Sequence, residues 1–433
     1  MSKKTGQHAG NGELKMGQIF ITNLSIKKVR HLKDITIPLS EDQMKHLIFT
    51  GKNGSGKTSV VEAISVYLNN AFTDEYFATR EDWADSYRKQ RDEIVHGGNN
   101  QGELLRLEKK IDETEQQLSE DRRGLDIQFN QSTNDFYLLK DKCQYILAYY
   151  RADRIFKAVQ PKHVEKVQLK DYYGPFEYPR DEFVKYLLDL KMTEALARNN
   201  NKAEKANEIQ TWFEKLEQLL QKIFSDQTVK LTFDEETFEF HIEQEGKEIF
   251  DFNTLSSGYQ AVLDIVLDLI MRMEKQTHRS FDFNLPGIVL IDEIETHLHL
   301  ELQKNILPLL TTVFPNIQFV VTTHSPFILN SLENVVIYDL ENKLLVEDGL
   351  GNIPYDGIVE GYFGADKLSD TLKRKFERYK SLVKKNTLSD DDVSEIAELE
   401  LYLDEIPDYL SIGIATEYQR LKLEFMNRED IDG

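Results

Sequence analysis

Eight residues, Gly51-Lys52-Asn53-Gly54-Ser55-Gly56-Lys57-Thr58, constrain this chain more than any other stretch. They fit G-x-x-x-x-G-K-[ST] in full, with an extra glycine at 54. The apolar run Leu47-Ile48-Phe49-Thr50 precedes them, and Ser59-Val60-Val61-Glu62-Ala63-Ile64 follows with helical character. The expected unit is a strand, a tight loop and a helix. Its glycines let main-chain N–H groups converge on an anion, and the new helix turns its positive end toward it. In such a loop Lys57 neutralises the outer phosphates of ATP, and the Thr58 hydroxyl ligates Mg²⁺. Gly51, Asn53, Gly54, Ser55, Gly56, Lys57, Thr58 and Ser59 are the candidate phosphate-binding set.

Three further stretches carry matching chemistry. Gly287-Ile288-Val289-Leu290-Ile291-Asp292-Glu293 places two acids after four apolar residues, as at the carboxyl edge of a buried strand in an open α/β sheet. There Asp292 holds Mg²⁺ through water, and Glu293 accepts a proton from the attacking water. Phe319-Val320-Val321-Thr322-Thr323-His324-Ser325 is a second buried strand, and His324 at its end is expected to contact the γ-phosphate. Leu255-Ser256-Ser257-Gly258-Tyr259-Gln260 precedes the apolar helix Ala261–Met273. Alone it is a serine N-cap. Beside the other motifs, Ser256, Ser257 and Gly258 suggest a helix start aimed at a phosphate held by another subunit.

Composition narrows the class. With 433 residues, 40% hydrophobic and 30% charged, the chain has room for two or three domains and a large core. A net charge of −22 argues against a protein coated in nucleic acid, while leaving a local basic groove open. The single cysteine, Cys143, excludes an intrachain disulfide framework and a CxxC zinc site, which suits a reducing cytoplasm. Residues 1–15 are polar, unlike a signal peptide, and are expected to be a flexible tail, with Met16 as an alternative start. No run approaches the ~18 apolar residues of a membrane span, so no membrane partner is expected.

Along the chain, residues 17–38 alternate as an antiparallel hairpin leading to the phosphate-loop strand, and the helix after Lys57 runs to about Asn70. Residues 71–102 are polar and end in the breaker His96–Gly102. A charged helix from Glu103 to about Gly124 has Leu104, Leu107, Ile111 and Leu118 at heptad-like spacing, a stub best explained by packing on a neighbour. A core strand follows near 145–150. Helices over 181–225 split at Asn199–Asn201, and Ile209, Trp212, Phe213, Leu216, Leu219, Leu220 and Ile223 share one face. Strands over Val229–Phe233 and Thr237–Gln244 turn at Asp234–Glu236.

The phosphate loop, L-S-S-G-Y-Q, strand-D-E and T-T-H-S occur in the order of ABC-type ATPases, which the chain resembles over about residues 16–345. Leu255–Gln260 is similar to their signature motif, with Ser257 where glycine is usual. Glu295-Thr296-His297-Leu298-His299-Leu300 resembles the D-loop region of the RecF/OLD-like branch. The expected glutamine loop is not evident; the candidate strand ends Tyr149-Tyr150-Arg151-Ala152-Asp153-Arg154, where Asp153 is the candidate Mg²⁺ sensor. The resemblance implies an α/β fold: a P-loop ATPase head with an antiparallel β subdomain, built from 16–70 and 226–345. A mainly helical insertion, serving as lid or short arm, spans 71–225, and a helical appendage spans 346–433. ATP, Mg²⁺ and a homodimer with composite sites are implied with it. Closest in appearance are ATPase subunits of bacterial anti-phage systems of Septu, retron-associated and PARIS type, which work beside a separate nuclease or toxin.

In the appendage, Leu368, Leu372, Phe376, Tyr379 and Val383 line a basic helix, and Ser389 with Asp392 offers a capping box for an acidic one. An antiparallel hairpin with mutual neutralisation is expected, and no nuclease chemistry in this chain. Three functions compete: an ATP-driven switch controlling a partner effector, a RecF- or Rad50-like DNA repair ATPase, and a transporter subunit. The 199-residue separation of Lys57 and Ser256 weighs against the last.

Overall fold

A computed structural model describes residues 18–97, 101–142, 144–154, 156, 158–159, 161, 163–353, 357–358, 370–385, 387–404 and 412–426. The expected tail, Met16 and Cys143 lie outside them. The chain forms two units, one ending at Ile353 and one beginning at Pro354.

The strands of the first unit are β1 (Ile21–Val29), β2 (Leu32–Pro38), β3 (His46–Thr50), β4 (Leu125–Phe129), β5 (Ile146–Tyr150), β6 (Lys230–Phe233), β7 (Phe240–Glu243), β8 (Gly287–Ile291), β9 (Ile317–Thr322), β10 (Val335–Asp339) and β11 (Leu344–Val346). The central sheet runs β11-β10-β3-β9-β8-β5, parallel throughout except for the edge strand β11. Its five parallel strands are buried along their whole length, which explains their near-continuous apolar runs. Because β3, β9 and β8 are adjacent, the phosphate loop, His324 and the Asp292–Glu293 pair leave the sheet at one carboxyl edge. That is where open α/β sheets bind ligands.

A second, antiparallel sheet has the order β2-β1-β4. The β1–β2 hairpin agrees with the alternation over 17–38. Strand β4 lies within the stretch expected to be mainly helical, and its alternating Leu125 and Ile127 are buried against the same core. Helix α1 (Lys57–Thr73) contributes Val60, Val61, Ile64, Leu68 and Phe72 to one cluster with apolar residues of both sheets. The phosphate loop is thus anchored from behind by a rigid core.

The polar stretch after α1 contains a helix that composition obscures, α2 (Arg80–Gly97), and it packs against α3 (Gln101–Arg122). Leu107 and Ile111 are buried, while Arg88 bridges to Glu115 at 2.7 Å, so the stub is a helix packed on a neighbour. A short helix, α4 (Thr133–Lys142), leads to β5. The helical pair is α5 (Phe183–Asn199) and α6 (Ala203–Phe224), broken where Asn201 takes φ +54°. All seven apolar residues assigned to one face of α6 are buried. Helix α7 (Ser257–Met273) is buried from Ala261 onward, and α8 (Leu300–Val313) and α9 (Pro326–Leu329) complete the unit.

The second unit has three helices among the described residues, where the sequence suggested two: α10 (Asp370–Val383), α11 (Asp390–Asp404) and α12 (Ile412–Met426). Tyr379, Ile396, Leu399 and Leu421 share its core. The capping box forms as expected: Ser389 N–H donates to the Asp392 carboxylate at 2.9 Å, and Asp392 N–H donates to Ser389 Oγ at 3.2 Å. The basic helix is neutralised from both neighbours, by Arg378–Glu395 at 2.6 Å and Lys380–Glu417 at 2.7 Å.

Candidate active site

The loop after β3 has the backbone that its glycines demand. Gly51 takes φ +128° and Gly56 φ +100°. A Cβ at Gly51 would stand 2.9 Å from Ser55 Oγ, and one at Gly56 2.9 Å from Leu32 Cδ1. The backbone conformation therefore requires glycine at both positions, and the space beside each is tight. Gly56 is also the N-cap of α1, whose first bond runs from Val60 N–H to Gly56 C=O at 3.0 Å. The N–H groups at the helix start are left for an anion. Thr58 is exposed at the first turn of α1, and Asn53 and Gly54 are exposed on the loop.

Lys57 is buried, and its Nζ donates to the carbonyls of Gly51 at 2.8 Å and Lys52 at 3.2 Å. Burial holds its pKa below the ordinary lysine value, while Glu293, Glu295, Asp292 and Asp339 act the other way. Those influences place the lysine ammonium and the strand-end acids in one electrostatic field.

The acids are fixed from below. Asp292 is buried, and its Oδ1 accepts from Thr322 Oγ1 at 2.6 Å. The same hydroxyl accepts from Glu293 N–H at 2.6 Å. Glu293 adopts φ +44°, a left-handed conformation unusual for a long side chain. His324 donates its main-chain N–H to Glu295 Oε1 at 2.5 Å. Its own Nε2 and the second oxygen, Glu295 Oε2, are buried without a hydrogen-bond partner among the described residues, as is Ser55 Oγ. Burial and the nearby Lys57 lower the His324 pKa, against the pull of Glu295, Glu293 and Asp292. The lowering favours the neutral imidazole.

Unsatisfied buried polar atoms are rare in folded proteins. Their concentration beside a lysine that contacts only carbonyls of its own loop fits a triphosphate and its metal. Thr58 and Asp292 would hold the Mg²⁺, which supplies charge neutralisation at the phosphates.

The signature stretch forms the start of α7. Ser256 is the N-cap of α7 in extended conformation, yet its side chain makes no capping hydrogen bond. A Cβ on Gly258 would come within 3.1 Å of the His297 carbonyl, so α7 begins tightly packed on the D-loop turn. Tyr259 packs against Phe224, with ring centroids 4.4 Å apart.

Three contributors escaped the sequence reading. Thr322 carries both site acids but looked like one more strand residue. Asp339, at the end of β10, accepts the N–H groups of Glu341 at 2.8 Å and Asn342 at 3.0 Å beside Gly51. An acid closing the apolar run Val335–Tyr338 was its available signal. Arg154 is buried beneath Asp292 and Glu293, whereas its neighbour Asp153 is exposed.

Residues 72–330 match the family described as "AAA domain, putative AbiEii toxin, Type IV TA system", and residues 20–96 match an AAA ATPase domain. The chain belongs to this AAA-domain family. Over 425 residues it is 26% identical to the Septu protein PtuA of Bacillus mycoides (strain KBAB4), covering 93% of this chain and 52% of that protein. Over 147 residues it is 32% identical to the retron Ec83 probable ATPase of Escherichia coli, covering 33% of this chain and 27% of that protein. The chain thus spans about half, or less, of the length of these curated relatives. A solved SMC head domain from Thermotoga maritima overlaps with a TM-score of 0.35 at 14% identity, over 74% of this chain and 94% of that one. No helix among the described residues is long and apolar enough to cross a membrane.

Proposed function

We propose that this AAA-family domain binds and hydrolyses ATP with Mg²⁺ and uses the two resulting states to control a separate effector in anti-phage defence. The observation carrying the ATPase reading is the convergence of Lys57, Asp292, Glu293 and His324 at one sheet edge, with buried polar atoms there lacking partners. Gly51, Asn53, Gly54, Ser55, Gly56, Lys57, Thr58 and Ser59 cradle the phosphates. Glu293 takes a proton from the water that attacks the γ-phosphorus, and the products are ADP and inorganic phosphate. His324 contacts the γ-phosphate.

The site is completed in a homodimer. Ser256, Ser257 and Gly258 of one protomer approach the phosphate held by Lys57 and Thr58 of the other, and the uncapped Ser256 hydroxyl supports that role. The resemblance to Septu and retron ATPases supports an effector that is a nuclease or toxin, in the cytoplasm. The effector is regulated to the extent that it binds the open and closed states with different affinity.

Lys57→Ala is expected to abolish ATP binding, and Glu293→Gln to retain ATP and accumulate dimer, read by equilibrium binding and by sedimentation. Equal nucleotide affinity in wild type and Lys57→Ala would remove the site assignment. DNA cleavage by the purified chain alone would overturn the division of labour with an effector and favour direct action on DNA, as in a RecF-like repair ATPase.

A further inference from the structure

Arg154 belongs to none of the recognised motifs, yet it is only 4% exposed. Its Nη1 donates to the carbonyls of Arg151 at 2.9 Å and Asp292 at 2.6 Å. Its Nη2 donates to those of Glu293 at 3.0 Å and Ile294 at 3.2 Å. All four acceptors are main-chain oxygens, and three of them belong to the consecutive residues that carry both site acids. Glu293 is the residue at φ +44°. Its peptide is gripped on both sides, by Thr322 Oγ1 at the N–H and by Arg154 at the carbonyl.

The remaining donor of Arg154, Nε, is buried and has no hydrogen-bond partner among the described residues. A buried guanidinium is costly to desolvate, so its placement under the two acids asks for a role beyond packing.

We propose that Arg154 is the positioning residue for Glu293. The guanidinium fixes the peptide that aims the Glu293 carboxylate. This proposal rests on the ATPase reading above.

The test compares wild type with Arg154→Gln and Arg154→Lys in the full chain. The readouts are affinity for a fluorescent ATP analogue with Mg²⁺, KM, kcat and thermal melting. Arg154→Gln is expected to keep nucleotide affinity within about twofold while kcat falls roughly 10–100-fold, the usual effect of losing an orienting partner behind a ligating carboxylate. Arg154→Lys recovers part of kcat, since an ammonium reaches some of the carbonyls without the planar fork.

Wild-type kcat in folded Arg154→Gln overturns the positioning role. If Arg154→Gln does not fold, Arg154→Lys decides: reduced kcat at unchanged KM supports the proposal, and wild-type kcat overturns it. Absence of ATP binding in wild type would instead remove the ATPase reading itself.

Discussion

Glu293 reaches its place at φ +44°, where a side chain larger than glycine is strained by roughly 1–2 kcal/mol. The strain is local to a site residue, and Thr322 and Arg154 hold it in place. Glu293→Gly is therefore expected to raise the melting temperature of the first unit while eliminating ATP turnover; a lowered melting temperature would show the conformation to be unstrained. Asp264 gives a second prediction at this scale. Burial pushes its pKa up to about 6, against the pull of Arg180 and Arg154 and with the repulsion of Asp268 and Asp181. An acid with a raised pKa in the fold binds more protons folded than unfolded between its ordinary value and about pH 6. Its contribution to stability therefore becomes more favourable as pH falls through that window. In urea unfolding from pH 7 to pH 5, the stability of wild type relative to Asp264→Asn should shift in favour of wild type; a gap that stays constant would exclude the titration.

Among the elements, α6 shows most directly how pattern becomes packing. Its apolar positions follow the helical period, and Leu216 and Leu220 are fully excluded from water. Trp212 adds a polar anchor, its Nε1 donating to the buried Glu274 carboxylate at 3.0 Å. That carboxylate also accepts from Tyr186 Oη at 2.5 Å, so α5, α6 and α7 meet at one polar junction inside an apolar layer. Leu216→Ala leaves a cavity on this face and is expected to destabilise the first unit by about 2–5 kcal/mol, measured by chemical denaturation. A loss under about 1 kcal/mol would mean that the neighbouring helices collapse into the space. By contrast α2 has a polar, weakly patterned sequence, and only its pairing with α3 gives it a face to bury.

At the scale of the whole molecule, we propose a site divided between two copies of the chain. Lys57 sits on the phosphate loop, and Ser256 caps the helix whose first turn packs on the D-loop turn. Lys57→Ala and Ser256→Arg should each be inactive alone, because every site in either homodimer lacks one half. Mixed, they should recover part of the wild-type hydrolysis rate, since one composite site in each heterodimer is intact. Absence of recovery after subunit exchange, with each variant still able to dimerise, would argue for a site complete within one chain.

The sequence by itself determined the glycine-rich loop after β3, the strand ending in Asp292 and Glu293, the strand ending before His324, the break between α5 and α6, and the capping box at Ser389. Each rests on local chemistry: glycines that admit positive φ, acids ending an apolar run, a hydroxyl three residues before its carboxylate. Only the tertiary structure decided what supports them. Thr322 serves two acids 29 and 30 residues away, and Arg154 grips a turn about 140 residues distant. Strand β4 joins β1 across roughly a hundred residues. Such partners are chosen by sheet order and by the need to satisfy polar groups far apart in sequence. That choice leaves no periodic trace around the residue that makes it.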